Sequence, residues 1–301
     1  MPDPKLFEQI ADALGTSPSL VEKDWYVVQA LQTIANADVT PAVMIFTGGT
    51  CLSKAWKLIE RFSEDVDFKV AVPADYGRAQ RRQFRAMIIA TLQAAGFGLL
   101  DQSAGDEGRF FVLQLDYGSA FPLQHGLRPH LQIEVSLRQP KRNAIARPVA
   151  SFVAEAQQKV PEVDAILCAD PVETAAEKLS ALAWRVLSFA SQAEDAGDPS
   201  MIRHLHDLAA LEAQIIDVGE FAQLLGDVIA EDSTRGGAGH PRVMSELLAM
   251  MLAELDKPHW RQNYNTFIRG MSYATADKVI SFDQAIATCQ SLVSRIGTVP
   301  P

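Results

Sequence analysis

Asp65 and Asp67 sit one residue apart in DVDFKVAV (65–72), where polar and apolar residues alternate as in a half-buried strand. Residues two apart on a strand face the same side, so the two carboxylates project together while Val66 and Phe68 point into a core. Carboxylates held that close repel unless positive charge lies between them. Hard divalent cations such as Mg²⁺ take oxygen ligands and usually keep waters and substrate phosphates as the rest. Two such ions about 4 Å apart clamp the attacking and leaving oxygens in phosphoryl or nucleotidyl transfer. HLQIEVSL (130–137) offers a third carboxylate: Leu131, Ile133 and Val135 form its buried face, leaving Gln132, Glu134 and Ser136 on the other. Upstream, the β-rich run AVMIF (42–46) is punctuated by Gly48-Gly49-Thr50. Glycines let the backbone approach a ligand closely, and a helix opening at Thr50 would turn its free N–H groups and positive dipole end toward a phosphate. Taken singly, an Asp-x-Asp is commonly a solvated strand face and a Gly-Gly pair a tight turn. Strand, Gly-Gly-Thr, helix and Asp-x-Asp strand in that order are far more specific.

Several elements must hold these residues. Leu20, Trp25, Val28, Leu31 and Ile34 recur at helical spacing in residues 17–35, and Leu52, Ala55, Trp56 and Ile59 do so from Thr50 to Glu60. A basic amphipathic helix is expected over 76–95, carrying Arg78, Arg81, Arg82 and Arg85. Strands are expected at 109–117 and 130–137, joined by a connection rich in turn residues, including Gly118, Pro122, Gly126 and Pro129. Beyond residue 150 strand signals fade. DPVETAAEKLSALAWRVLSFA (170–190) opens as a helix with Asp170 as N-cap, Pro171 in the first position and Glu173 completing the pattern. Further helices are expected near 200–214, 218–231, 241–256, 258–271 and 281–296. EDSTRGGAGHPR (231–242) reads as a loop without the Gly-Lys-Ser/Thr ending of a phosphate-binding P-loop. An α+β organisation follows: residues 1–155 with a small mixed sheet flanked by helices, then an all-helical half over 156–301.

Composition sets the outer limits. With 48% hydrophobic and 21% charged residues over 301 positions, the chain has ordinary globular composition. No apolar run approaches the ~20 residues of a membrane span, and the N-terminus lacks a signal peptide's basic start and apolar core, so a cytoplasmic protein with no membrane partner is expected. Cys51, Cys168 and Cys289 are odd in number and scattered, which suits buried or spare thiols in a reducing compartment. A net charge of −10 argues against a surface coated for nonspecific nucleic-acid binding. It leaves room for a local basic groove, at 76–85 or at Arg138, Lys141, Arg142 and Arg147, although both runs also read as solvated faces.

The run FTGGTCLSKAW…RFSEDVDF resembles the signature of the AbiEii/AbiGii-type nucleotidyltransferase toxins, a branch of the polymerase-β-like nucleotidyltransferase superfamily. Gly48, Gly49, Thr50, Leu52, Lys54, Arg61, Phe62, Ser63, Asp65 and Asp67 match its pattern. VEKDW (21–25), AEKLSAL around Lys178 and RHLHDL (203–208) are similar to three further family elements in the same order. The resemblance implies a metal-dependent enzyme (Mg²⁺ or Mn²⁺) of two lobes, the helical one completing a nucleotide cleft. It would transfer a nucleoside monophosphate from an NTP to an RNA 3′ end such as that of tRNA. Such a protein would be the toxin of a toxin–antitoxin or phage-defence system, with a cognate antitoxin protein. Asp65 and Asp67 would bind metal, with Glu134 beside them. Gly48, Gly49, Thr50, Lys54 and Ser63 would contact the nucleotide, Lys178 would reach the triphosphate, and Asp207 would act near the same cleft. Arg61 more naturally orients the Asp-x-Asp strand, and His204 stands where some relatives carry aspartate. By pattern alone Lys178 is a helix-surface lysine and His204 and His206 are ordinary histidines. Transfer to a protein hydroxyl, NTP binding without turnover, and partner binding without catalysis are the alternatives.

Overall fold

The computed structural model describes residues 1–122, 127–191, 199–233 and 243–298. Gly126 and positions 234–242 of the expected 231–242 loop lie outside them. The chain divides into two units, Met1–Asp170 and Pro171–Pro301.

In the first unit the order is α1 (Pro4–Leu14), α2 (Pro18–Ala35), β1 (Val43–Thr47), α3 (Gly48–Lys54), β2 (Asp65–Ala71) and α4 (Arg78–Ala94). It continues with β3 (Gly98–Gly105), β4 (Phe110–Asp116), β5 (Leu131–Ser136), β6 (Ile145–Val149), α5 (Phe152–Ala156) and β7 (Val163–Cys168). Among the described residues the strands form one mixed seven-stranded sheet, ordered β3-β4-β5-β2-β1-β7-β6. β2 lies near its middle, antiparallel to β1 and parallel to β5. One face carries Val66, Phe68 and Val70 with Ile133, Val135 and Leu113. They join Val28 and Leu31 of α2 and Phe84 and Ile88 of α4 in one buried core. Strand alternation leaves Asp65, Asp67 and Lys69 on the opposite face.

Three strands, β3, β6 and β7, carry no strand signal in the sequence, for physical reasons. β3 is an edge strand with mostly exposed residues, so it has no apolar alternation. β6 is the other edge and contains Pro148, where its register to β7 shifts. β7 is buried irregularly, yet Phe46 pairs with Cys168 and the Ala169 N–H donates to the Phe46 carbonyl at 2.8 Å. That pairing carries the first unit to Asp170, past the boundary expected at residue 155. α3 is shorter than expected. It ends at Lys54, and Trp56 instead donates its indole N–H to the Ala169 carbonyl at 3.0 Å. Cys51, Cys168 and Cys289 are free, buried thiols.

α2 buries three consecutive charged residues, Glu22, Lys23 and Asp24. Each has partners, as buried charge requires. Glu22 accepts from the Ser119 hydroxyl (2.6 Å) and the Ala120 N–H (2.9 Å). Lys23 pairs with Glu64 and donates to the Arg128 carbonyl at 2.7 Å. Asp24 accepts from the Phe152 N–H (2.7 Å) and pairs with Lys54 at 2.8 Å.

The second unit contains α6 (Pro171–Ser191), α7 (Arg203–Leu211), α8 (Val218–Ser233), α9 (Met244–Leu255), α10 (Pro258–Met271) and α11 (Phe282–Gly297). α6 packs against α7, α8 and α9, and α11 against α7. The capping expected at Ser281 is reciprocal: its hydroxyl accepts from the Gln284 N–H (3.2 Å) and its N–H donates to Gln284 Oε1 (2.8 Å). Among the described residues no helix is long and apolar enough to cross a membrane.

Removing one side of the Asp24–Lys54 pair strands the other charge in the interior. Asp24→Ala is expected to destabilise the protein by about 3–5 kcal/mol in urea unfolding. Replacing both partners by apolar residues of similar volume should recover much of that loss, and an Asp24→Ala protein of unchanged stability would contradict the role given to the pair.

Candidate active site

The end of β1, the start of α3 and the start of β2 converge because Thr47 pairs with Asp67 in the antiparallel register. α3 begins at Gly48, two positions before the Thr50 start expected, so both glycines belong to its first turn. Gly48 has φ +76°, and a Cβ there would lie 1.9 Å from Asp67 Oδ2. At Gly49 a Cβ would lie 2.7 Å from Ser63 Oγ and 2.8 Å from Arg61 Nη2. Gly48 is therefore required by its left-handed φ and the Asp67 carboxylate, whereas at Gly49 a Cβ would have to displace the ends of the Ser63 and Arg61 side chains. Thr50 is 1% exposed, and its hydroxyl faces the carbonyls of Ser63 (3.1 Å) and Asp65, tying α3 to β2. Arg61 is buried and donates to the Phe62 carbonyl at 3.0 Å. Lys54, expected among the nucleotide contacts, is only 4% exposed. Its ammonium is ion-paired with Asp24 and lies 4.0 Å from the centre of the Phe152 ring.

Across β2 and β5 the parallel register sets Asp67 beside Glu134 and Asp65 beside Gln132. Glu134 and Asp67 thus share the face away from the core, each half-buried. Gln132 Nε2 donates to Glu134 Oε1 at 2.6 Å. Asp65 is 5% exposed and ion-paired with Arg128. Arg128 is itself held by its backbone: its N–H donates to Glu64 Oε2 at 2.9 Å, and its carbonyl receives Lys23 Nζ. Sequence reasoning missed Arg128 and Glu64. Arg128 lies in the loop between β4 and β5, where no periodicity marks a residue, while Lys23 at least belonged to a recognised block.

Asp65, Asp67 and Glu134 supply the oxygen donors a hard cation takes, and their two strands are adjacent. Asp65 already carries a guanidinium, however, and among the described residues no three His, Cys, Asp or Glu side chains are grouped so as to hold a metal. The donor chemistry fits a divalent ion; the grouping centres on Asp67 and Glu134.

In the second unit Lys178 Nζ lies 2.7 Å from Asp207 Oδ2, with Lys178 7% and Asp207 0% exposed at the side chain. His206 Nδ1 lies 3.2 Å from Asp207 Oδ1, so this carboxylate bridges a lysine and a histidine. Lys178 is therefore a buried, paired cation and not the surface lysine its helical pattern suggests. His204 is buried with both ring nitrogens lacking a hydrogen-bond partner among the described residues. Burial, followed by the nearby cations Lys178, Arg203 and Arg185, holds its pKa well below the usual histidine range, so the ring is neutral.

The fold is similar to that of a solved nucleotidyltransferase toxin, MenT4 from Mycobacterium tuberculosis H37Rv. The TM-score is 0.65 at 17% identity, covering 98% of this chain and 90% of that one. No curated protein matches the chain. The model of the family described as "Nucleotidyl transferase AbiEii toxin, Type IV TA system" matches residues 29–288. The chain belongs to that family and is a nucleotidyltransferase toxin of a type IV toxin–antitoxin system.

Two outcomes follow from this geometry. Gly48→Ala places a methyl group on Asp67 at a left-handed φ and should cost more than about 1 kcal/mol of stability. Nucleotidyl transfer should fall with it, and full activity would show that Asp67 is free to move. A histidine held neutral when folded binds fewer protons than its unfolded form, so its contribution is lost as pH falls below ~6.5. In urea titrations between pH 7 and pH 5, His204→Leu should remove a slope of up to about 1.4 kcal/mol per pH unit present in the wild type.

Proposed function

We propose that this protein transfers a nucleoside monophosphate from an NTP to the 3′ hydroxyl of an RNA, tRNA being the acceptor class the family resemblance implies, and releases pyrophosphate. The observation that carries the reading is the register of Asp67 between Thr47 and Glu134, with the Gly48 backbone against its carboxylate. That arrangement supports a strand-borne acid centre beside a helix-opening turn. Asp67 and Glu134 would hold Mg²⁺ or Mn²⁺, and Asp65 would join them only in exchange for its Arg128 guanidinium. When bound, the ion would neutralise phosphate charge and polarise the phosphoryl oxygens.

The chain's own groups do the rest in this reading. Backbone N–H groups of Gly48, Gly49 and Thr50, with Ser63 alongside, contact the phosphates. Arg61 stiffens that turn from behind Gly49, and Lys54 supports α3 through its pair with Asp24. In the helical unit Asp207 and His206 hold the Lys178 ammonium in place, and the family resemblance gives that lysine the role of offsetting triphosphate charge. Asp207 is also the positioning or proton-accepting group for the acceptor hydroxyl. His204, kept neutral, is available to donate or accept one hydrogen bond at each ring nitrogen. The toxin would act in the cytoplasm, restrained by a cognate antitoxin.

Incubation with each α-labelled NTP, Mg²⁺ and a cell extract should place label in RNA. Asp67→Asn should lower labelling by on the order of 10²- to 10³-fold with the fold intact by circular dichroism. Lys178→Ala should also lower labelling, and because it strands the buried Asp207 carboxylate it should lower the urea midpoint as well. Label recovered in protein would replace the RNA acceptor by a protein one. Full activity in Asp67→Asn would remove the acid centre from the reaction.

A further inference from the structure

The first unit carries a second concentration of charge, away from the acid centre. α4 presents arginine at 78, 81, 82 and 85, spacings of three and four that gather on one flank of a helix, while Phe84, Ile88 and Leu92 enter the core. These arginines wall a cavity of about 400 Å³ whose other side is Ala104 of β3 and Glu107 of the β3–β4 turn. Two of them are anchored. Arg78 Nη2 lies 2.9 Å from Glu107 Oε1, and Arg81 donates to the carbonyls of Glu107 (3.1 Å) and Tyr76 (3.2 Å). Arg82 and Arg85 have no hydrogen-bond or ion-pair partner among the described residues. Four guanidiniums against one carboxylate leave a strong local positive field in a chain whose net charge is −10. Guanidinium donors match phosphate oxygens in a fork geometry, and the two unpartnered ones face the cavity with that capacity unused.

The sheet register measures how far this cavity lies from the acid centre. Asp67 pairs with Glu134, Glu134 with Val112, and Val112 with Ser103, the neighbour of Ala104. Three strand spacings of ~4.8 Å make about 14 Å. α4 also packs its apolar side on the sheet face opposite the one that carries Asp67. One phosphate cannot touch both places. A strand of successive phosphodiesters can.

We infer that the α4 arginine cavity binds backbone phosphates of the acceptor RNA, upstream of the 3′ end that receives the nucleotide. This rests on the RNA-acceptor reading above. It assigns Arg82 and Arg85 to acceptor docking, apart from the groups that handle the NTP.

The test is fluorescence anisotropy with a labelled single-stranded RNA oligonucleotide across a salt series, using the full chain and Arg82→Ala/Arg85→Ala. Both residues are on the helix flank away from the core, so the double variant should keep its thermal midpoint and its affinity for a fluorescent NTP analogue. RNA affinity should fall about 10-fold or more. The slope of log affinity against log salt should shrink by about 1.4, since each phosphate contact to a single strand contributes about 0.7. Arg82→Lys/Arg85→Lys should retain most of the salt dependence. Unchanged RNA affinity and slope in the alanine variant would overturn the cavity as the docking site while leaving the RNA reading standing. Loss of NTP-analogue binding in parallel with RNA binding would also overturn it. A wild-type protein that binds no RNA yet labels protein from NTP would overturn the acceptor reading itself and this ligand with it.

Discussion

The close approach of Gly48 to the carboxylate of Asp67 is the constraint on which the acid centre depends. A strand, a helix and a second strand meet there with no room for a Cβ: β1 ends at Thr47 and α3 begins at Gly48. The antiparallel pairing of Thr47 with Asp67 then fixes which acid lies at the turn, and the parallel pairing of β2 with β5 brings Glu134 to the same row. One-residue slippage in either pairing would turn these side chains into the core. The site is thus a consequence of register as much as of residue identity.

Buried charge makes that register unique. Around the start of β2 the carboxylates and cations are matched: Asp24 with Lys54, Glu64 with Lys23, Asp65 with Arg128. Each pair joins segments distant in sequence, and a shifted packing would leave charges unpaired in low dielectric. The helical unit repeats the device with Lys178, Asp207 and His206, a row whose central carboxylate is fully buried. A lysine held in this way keeps its ammonium in one place.

The charge distribution of the first unit follows the same logic at larger scale. At the start of β2, Glu64 and Asp65 are paired with local cations, whereas the arginines of α4 exceed the carboxylate that faces them. An acidic protein can therefore still present a cationic surface to a polyanion, and its bulk charge suppresses contact elsewhere.

Much of this was legible in the sequence. Strict alternation marked β2 and β5 and placed Asp65, Asp67 and Glu134 on one face, because period-two patterning reflects a sheet with a single buried side. Capping chemistry marked α6 and α11, and the ordered Gly-Gly-Thr and Asp-x-Asp blocks marked the family. Local patterns could not reveal β3, β6 or β7, whose exposure, proline or irregular burial erases the alternation, and the strand pairing carried by β7 takes the first unit on to Asp170. Nor could they show that Lys54 serves Asp24, that Arg128 holds Asp65, or that Lys178 is buried against Asp207. The sequence by itself determined which chemical groups are present and on which face of its own element each lies, because that depends on spacing along the chain. Only the tertiary structure decided which charge pairs with which, because ion pairing depends on distances through space between residues far apart in the chain, 63 positions for Asp65 and Arg128.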